Sequence, residues 1–292
     1  MREQIISGEV KIGNYHYFTI HDPKERTICA ASFPERVLHH ALMNICHHVF
    51  EKYQIFDSYA SRTGKGTYAA LDRAKYFQKK YQWFLKLDVR KYFDSINHEI
   101  LNKILSSRFK DKVLVGIFNK IINSYETSPL KGLPIGNLTS QYFANHYLAV
   151  ADHFIKEKLK IKCYVRYMDD MVLWHNDKER LINTRDEIYL FLRKELKLTL
   201  KPDCLNKTST GLPFLGYRIF SDHLRLSKRS KTRYKQKIEK YCECLDQGRF
   251  SQSCFQDHIL PMIAFTEHAR ALKFRKKNLE KIYGQWPWAL TA

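Results

Sequence analysis

The chain has 292 residues, of which 44% are hydrophobic, so it is not intrinsically disordered and can form one large globular body or two small domains. Its 50 Lys and Arg exceed its 30 Asp and Glu by a formal net charge of +20, which predicts a polyanionic partner because phosphates neutralised by Lys or Arg release condensed cations. The N-terminus does not resemble a signal peptide and no run of about 18 apolar residues occurs, so we expect a cytoplasmic protein without a membrane partner.

Hydrophobic spacing and turn residues define the predicted elements of the first half of the chain. In chain order they are a helix at 33–56, a polar glycine-containing loop at 58–67, a helix at 68–80, a strand at 83–89 that carries Asp88 near its end, and a helix near 97–107 with Asn97 as its N-cap. The strand is expected to be mostly buried, because nearly all of its side chains are apolar.

The second half begins with a loop that Gly and Pro interrupt, and it ends in a basic helical region. The elements predicted there are the loop at 132–136, a long helix at 138–159, a hairpin of the runs 163–165 and 171–174 around an acidic turn, an amphipathic helix at 181–196, and a short strand at 214–219. The composition changes from Ser227 onward, and we place a soft domain boundary near residue 221.

Cysteine and histidine residues give weaker indications. The seven cysteines have no zinc-motif spacing, and their odd number predicts free thiols in a reducing compartment. Four histidines cluster on the helix at 33–56, namely His39, His40, His47 and His48. A metal site is one interpretation, but packing and RNA contact are preferred because no carboxylate or cysteine completes a ligand set.

Three acids stand where strands are predicted to end. Asp88 ends one strand, and Asp169 and Asp170 occupy the tip of the hairpin, so the three can converge in space. Carboxylate oxygens suit Mg2+, and two such ions can activate a 3′-hydroxyl and stabilise a pyrophosphate leaving group. Adjacent strand residues point to opposite faces, so we expect Asp169 to be the closer metal ligand and Asp170 to be peripheral. An Asp-Asp pair alone is more often a simple turn.

Two sequence motifs resemble those of reverse transcriptases. YMDD at 167–170 resembles their motif C, and KLDVRKYFDSI at 86–96 resembles motif A, especially in the bacterial branch related to group II introns. The resemblance implies an α+β right-hand polymerase, with fingers and a palm of a small antiparallel sheet backed by helices at 1–220 and a basic helical thumb at 221–292. It further implies two Mg2+ ions held by Asp88, Asp169 and the Val89 carbonyl, with Asp170 as the peripheral third carboxylate of the catalytic and metal site, and a steric gate at Phe93 that rejects ribonucleotides.

The resemblance extends to the fingers and to the end of the palm. SYASRTGKG at 58–66 is similar to the basic fingers loop, which implies that Arg62 and Lys65 bind the incoming deoxynucleoside triphosphate. The segments around Arg26 and Arg36 look like the fingers entry, where these arginines contact RNA, brace the loop or pair with a nearby Glu. FLGY at 214–217 looks like the primer grip. Lys207 matches a lysine that protonates pyrophosphate, although Lys201 competes for this role.

The motif LPIGNLTSQ at 133–141 indicates a subfamily. Most reverse transcriptases have Gln before this glycine and Ser-Pro at the end, whereas here Ile135 precedes Gly136, and Ser140 precedes Gln141. This variant resembles the enzymes of diversity-generating retroelements. The resemblance implies a bacterial, phage or archaeal host, copying of a template-repeat RNA into cDNA with errors at template adenines, and a pentameric barrel-shaped accessory variability protein as partner. It also places Ile135, Gly136 and Gln141 at the nucleotide. Alternatively, Ile135 only packs beneath the loop.

The basic region predicts a nucleic-acid grip. Six basic residues without an acid fall between 228 and 237, and those sharing a helical face are Lys228, Lys231 and Lys235. A thumb helix that contacts the template–primer backbone explains this pattern, and a solvated basic face is the alternative.

Two other functions compete with the retroelement enzyme. One is another bacterial reverse transcriptase, of a retron or a defence system, against which Ile135 and Ser140-Gln141 argue. The other is a catalytically silent RNA-binding protein on the same fold. The presence of all three acids and Phe93 argues against that, because pure binding of phosphates does not need clustered carboxylates.

Overall fold

The computed structural model describes residues 10–21 and 25–283, and these residues form a mixed fold of helices and antiparallel sheet. The strands are β1 (Tyr15–Ile20), β2 (Arg26–Ala31), β3 (Trp83–Asp88), β4 (Tyr164–Tyr167), β5 (Asp170–His175), β6 (Cys204–Lys207), β7 (Leu212–Phe214), β8 (Tyr217–Ile219) and β9 (Leu224–Leu226). They form a β1–β2 hairpin, a four-stranded sheet in the order β4–β5–β3–β6, and a three-stranded sheet in the order β7–β8–β9. The α+β class predicted from the sequence is confirmed.

The helices include all those predicted from apolar spacing, and others that were not predicted. They are α1 (Phe33–Tyr53), α2 (Thr67–Lys80), α3 (Tyr92–Ser95), α4 (His98–Arg108), α5 (Lys112–Asn123), α6 (Leu138–His153), α7 (Lys178–Glu195), α8 (Lys228–Asp246), α9 (Gln252–Glu267) and α10 (Leu272–Tyr283). Asn97 caps α4 as predicted, because its side chain accepts a hydrogen bond from the Ile100 N–H. The long helix predicted over 138–159 instead passes at Phe154 into a π-helical turn.

The described residues divide into two compact units. One contains the described residues up to Ala70 together with Leu85–Leu205, and the other contains Leu71–Phe84 and the described residues from Asn206 onward. The second unit therefore begins before the predicted boundary near 221, since it includes the sheet β7–β9 as well as the basic helices. Lys24, which belongs to the predicted fingers entry, and residues 284–292 of the predicted thumb lie outside the described residues.

Each unit has its own apolar core. In the first, Phe50 of α1 packs against Phe109, Phe118 and Phe143, with ring centroids 5.1–6.4 Å apart. These rings fix α1, α5 and α6 to one another, because aromatic side chains bury large apolar areas. In the second, the core residues come from α8, α9 and α10 and are Tyr234, Ile238, Phe255, Ile259 and Leu279.

Candidate active site

The predicted acids lie at the ends of neighbouring strands. Asp88 is the last residue of β3, and the sheet order places β3 beside β5. Tyr167 of β4 pairs with Asp170 of β5, so Met168 and Asp169 form a two-residue turn between the strands. Met168 adopts a left-handed conformation with φ of 53°. The hairpin predicted around the acidic turn is thereby confirmed, with Asp169 in the turn and Asp170 on the strand.

The acids influence one another electrostatically. Burial, together with the negative charges of Asp170 and Asp88, raises the pKa of Asp169 to about 6. Burial also raises the pKa of Asp170, although the neighbouring Lys86 opposes this rise. The ionised carboxylates are therefore costly to hold together, and a cation at this place stabilises them.

Two lysine side chains neutralise the acids. Lys86, two residues before Asp88 on β3, places its Nζ 3.0 Å from Asp170 Oδ1. Lys201 places its Nζ 2.5 Å from Asp88 Oδ1. Lys201 reaches this position because the segment 199–201 runs beside 88–90, with the Lys201 N–H donating to the Asp88 carbonyl at 2.8 Å. Lys207, the other candidate proton donor, lies over the Trp83 ring, 5.5 Å from its centroid.

The oxygen atoms at the site, from the carboxylates and the Val89 carbonyl, are of the kind that bind a hard divalent cation. Carboxylate oxygens and a main-chain carbonyl are the ligands that Mg2+ takes in proteins. Val89 pairs with Leu200 without direct hydrogen bonds between the two residues, so the Val89 carbonyl points away from that neighbouring segment. Among residues 10–21 and 25–283, no three His, Cys, Asp or Glu side chains are arranged to hold a metal as they stand. Lys86 and Lys201 each lie against one carboxylate oxygen, of Asp170 and of Asp88 respectively.

Phe93 lies on the short helix α3, directly after the strand that carries Asp88. Lys91 precedes this helix in a left-handed conformation, φ 45°, which turns the chain sharply away from β3. Tyr92 is buried, whereas Phe93 is half-buried. The Phe93 carbonyl accepts a hydrogen bond from the Leu133 N–H at 2.9 Å, which fixes Phe93 next to the loop 132–136.

The loop with Ile135 and Gly136 is anchored on β2. The Ile135 carbonyl accepts from the Cys29 N–H at 2.8 Å, and Asn137 bonds β2 through both amide atoms, at 2.9 Å and 3.0 Å. Gly136 has φ of +121°, and a Cβ there would lie 2.7 Å from a methyl carbon of Ile28. This close approach requires glycine. Ile135 is half-buried, so part of its side chain is accessible.

The predicted nucleotide-binding loop is held by its own arginine. The single Nε–H of Arg62 is shared between the two oxygens of the Glu51 carboxylate, and Nη2 donates to one of them. Nη1 donates to the carbonyls of Ile55 and Ser58. Its side chain is only 8% exposed. The triphosphate contact of Arg62 stays a prediction, and the structure gives this residue a bracing role as well.

The remaining predicted nucleotide ligands are more accessible. Lys65 is half-buried, and its Nζ lies 3.0 Å from the Phe56 carbonyl oxygen and 3.5 Å from the Phe56 ring centroid. The Gln141 carbonyl oxygen accepts from the Ser61 hydroxyl at 3.0 Å, which joins the start of α6 to the loop. Lys65 and Gln141 therefore both lie at the loop that carries Arg62.

Arg26 and Arg36 lie on the outer side of the first unit. Arg26 begins β2 and is exposed, and Arg36 on α1 is exposed over the Phe33 ring at 5.7 Å. Both can reach RNA, and this role stays a prediction. Of the clustered histidines, His39 is buried and His47 bonds the Tyr142 hydroxyl at 2.9 Å, which agrees with packing.

The predicted basic helix exists as α8. Ser227 caps it by accepting from the Ser230 N–H, and the basic residues Lys228, Lys231 and Lys235 are all exposed. Before it, the FLGY segment forms the β7–β8 hairpin, with Leu215 and Gly216 as its turn. A Cβ at Gly216 would lie 3.1 Å from the Ser230 hydroxyl oxygen, so the hairpin packs closely on the start of α8. Backbone contact by this face stays a prediction.

Two residues of the site were missed from the sequence. Lys86 shares a strand face with Asp88, because residues two apart on a strand point the same way, and this spacing could have indicated it. Asn137 was not singled out, although its position directly after Gly136 in a motif could have drawn attention.

Comparison of the sequence with known protein families gives a match that includes the candidate site. The family described as "Reverse transcriptase (RNA-dependent DNA polymerase)" matches residues 21–219, which include every strand end discussed above. The chain belongs to the reverse transcriptase family. The match covers the loops that carry Arg62, Phe93 and Ile135 and ends at the last residue of β8.

Several known proteins are similar in sequence to this chain. The group II intron-encoded protein LtrA of Lactococcus lactis is 25% identical over 66% of this chain and 35% of its own length. The protein YkfC of Escherichia coli is 21% identical over 76% of this chain and 72% of its own length. The COX1/OXI3 intron 2 protein of Saccharomyces cerevisiae is 21% identical over 63% of this chain, which spans 29% of that protein. The homologues thus include intron-encoded proteins.

The fold also matches solved structures. The telomerase of Candida tropicalis in complex with a TWJ fragment of telomeric RNA superimposes with a TM-score of 0.58 at 13% identity, over 92% of this chain and 55% of that one. The telomerase of Candida albicans with the same kind of RNA fragment gives 0.57 at 12% identity. This likeness shows the right-hand polymerase fold. None of the helices that the structure describes combines the length and apolar character needed to cross a membrane.

Proposed function

We propose that this chain is an RNA-directed DNA polymerase that extends a primer on an RNA template with deoxynucleoside triphosphates. The observation that carries the proposal is the position of Asp88 and Asp169 at neighbouring strand ends, within the part of the chain that matches the family. A silent RNA-binding protein has no use for this cluster, because buried carboxylates repel phosphates and one another.

In the proposed mechanism, Asp88, Asp169 and the Val89 carbonyl bind Mg2+, and Asp170 remains paired with Lys86. Bound there, two Mg2+ ions supply activation of the primer 3′-hydroxyl and charge stabilisation of the leaving pyrophosphate. The half-buried Phe93 ring excludes the 2′-hydroxyl of a ribonucleotide. Lys65 attracts the triphosphate by its positive charge.

We assign the proton donor for pyrophosphate to Lys201 in preference to Lys207. The Lys201 ammonium group already reaches a carboxylate oxygen of Asp88, whereas the Lys207 ammonium group lies over Trp83. A general acid must lie within hydrogen-bond reach of the group that it protonates, so geometry favours Lys201.

We further propose that the enzyme belongs to a diversity-generating retroelement. Two departures from the usual motif support this subtype: Ile135 stands in the loop whose Leu133 N–H bonds the Phe93 carbonyl, and Ser140-Gln141 stands in the first turn of α6. The partners would be a template-repeat RNA, its cDNA and a pentameric accessory variability protein. The cDNA would carry errors opposite template adenines.

Primer extension tests the activity and the subtype together. Purified protein should extend a DNA primer on a defined RNA only with a divalent metal, and Asp88→Asn or Asp169→Asn should abolish extension while RNA binding remains. Extension by either variant would refute the metal assignment. Sequencing of the cDNA decides the subtype, because accurate copying at adenines would favour a retron or defence enzyme.

A further inference from the structure

Arg166 on β4 is a charged side chain that is completely buried in the first unit. Arg166 and its partner Asp152 on α6 are both 0% exposed. The Arg166 Nε lies 2.8 Å from Asp152 Oδ1, and Nη2 lies 2.7 Å from Oδ2, which is the two-pronged geometry of a strong pair. Buried ion pairs add little net stability over apolar residues of similar size. Stability alone therefore does not account for a guanidinium here.

The same guanidinium holds the turn that carries Asp169. Its Nη1 donates to the Met168 carbonyl at 3.1 Å. Met168 has a left-handed conformation, which residues with a side chain adopt rarely and which the surrounding structure must stabilise. Because a peptide unit is planar, fixing the Met168 carbonyl also fixes the Asp169 N–H. The direction in which Asp169 leaves the turn thus depends on Arg166.

Arg166 also ties down the segment that precedes the predicted triphosphate-binding loop. Its Nη2 donates to the Gln54 side-chain oxygen at 3.1 Å, at the end of α1. Its backbone N–H donates to the Asp57 carbonyl, and its carbonyl accepts from the Tyr59 N–H, both at 2.9 Å. The strand that leads into the catalytic turn and the chain that leads into the loop are therefore joined at one residue.

A third connection passes through α6. Arg166 Nη1 donates to the Asn145 side-chain oxygen at 2.8 Å, and the Asn145 amide donates to the Ala60 carbonyl at 2.6 Å. We propose that Arg166 is a positioning residue that holds Asp169 and the nucleotide-binding loop in one fixed geometry. This inference rests on the proposed polymerase function. Arg166 contacts neither substrate nor metal, and it acts through Met168 and Gln54.

The test uses two variants of Arg166's network and a matched control. Arg166→Lys keeps the positive charge against Asp152, but one ammonium group cannot replace the fork that bonds Asp152, Met168 and Gln54 together. Gln54→Ala, near the surface, removes one side-chain connection between Arg166 and the segment before the loop, and leaves the contacts with Asp152 and Met168 in place. Tyr164→Phe is the control, because it removes a 2.7 Å hydrogen bond to the same Asp152 and leaves Met168 untouched.

The readouts separate positioning from folding. With matched thermal stability and unchanged template–primer affinity, Arg166→Lys should lower kcat roughly tenfold to a hundredfold, the loss of one or two charge-assisted hydrogen bonds. It should also weaken Mn2+ binding, followed by electron paramagnetic resonance with template–primer present. Gln54→Ala should raise KM for deoxynucleotides several-fold with little change in kcat. Tyr164→Phe should leave all three values near those of the unaltered protein.

Each outcome bears on the inference. Wild-type kcat and Mn2+ affinity in a folded Arg166→Lys protein would overturn it, and so would an equal loss in Tyr164→Phe. If Arg166→Lys does not fold, an unchanged KM in Gln54→Ala overturns the part of the inference that runs through Gln54, and a raised KM supports it. An unaltered protein that binds no Mn2+ and extends no primer would instead refute the proposed function, on which the inference rests.

Discussion

Replacing Arg62 by alanine should destabilise the first unit strongly. The guanidinium is 8% exposed and donates to two main-chain carbonyls, Ile55 at 2.6 Å and Ser58 at 2.7 Å. The loss of each such bond costs about 1 to 1.5 kcal/mol, and the bidentate pair with the one-third exposed Glu51 adds about 1 kcal/mol. We therefore expect a loss of about 3 kcal/mol in the free energy of unfolding.

Thermal and urea unfolding, followed by circular dichroism, measure this loss. About 3 kcal/mol corresponds to a fall in Tm of roughly 6 to 12 °C for a domain of this size. Arg62→Lys should lose about half as much, because its single ammonium group can still pair with Glu51. Lys65→Ala is the matched control from the same loop. Its side chain is half-buried and makes a solvent-accessible hydrogen bond to the Phe56 carbonyl, so the change should cost about 1 kcal/mol or less while raising the KM for deoxynucleotides.

A stability within about 1 kcal/mol of the unaltered protein in Arg62→Ala would refute this reasoning. If such a variant also had a much higher KM, Arg62 would serve the triphosphate alone. Equal destabilisation by Arg62→Ala and Lys65→Ala would show that the whole loop, and not the buried guanidinium, determines the effect.

Three further predictions concern substrate selection and nucleic-acid binding. Phe93→Ala should reduce discrimination against ribonucleotides by roughly tenfold or more, because the clash at the 2′-hydroxyl is relieved, and unchanged steady-state discrimination would remove this role. Ile135→Gln should lower misincorporation opposite template adenine several-fold by restoring a polar contact, and deep sequencing of the cDNA checks it; an unchanged error rate in an active variant would make Ile135 a packing residue. Neutralising Lys228, Lys231 and Lys235 should reduce the slope of log K against log salt concentration for RNA binding by roughly one per lost phosphate contact. An unchanged slope would indicate that these lysines form a solvated face.

The elements that carry the acids could be predicted because their signals are local. A short apolar run ending at Asp88, and two such runs around the YMDD turn, define strands without knowledge of their partners. The cap at Asn97 is equally local, since it bonds only three residues ahead. The hairpin β1–β2 was not predicted, because most of its side chains are exposed and show no clear alternation.

The contacts that hold the side chains of the site in place could not be predicted, because they join distant parts of the sequence. Lys201 meets Asp88 across 113 positions, and Arg166 meets Gln54 across 112. The helix α5 was also missed: its apolar run 113–122 contains a glycine and was not assigned to any element. Local patterns therefore predict the strands and turns that hold the candidate residues, whereas the contacts that restrain those residues become visible only in the folded structure.

The two lysines at the acids bear on how the protein is made. Converging carboxylates would repel one another during folding, and a newly synthesised chain that relied on metal would need it at that moment. Lys86 and Lys201 supply internal counter-ions from β3 itself and from the segment beside it. The charge of the clustered carboxylates can therefore be balanced within the folding chain itself, by side chains that arrive with the same strands.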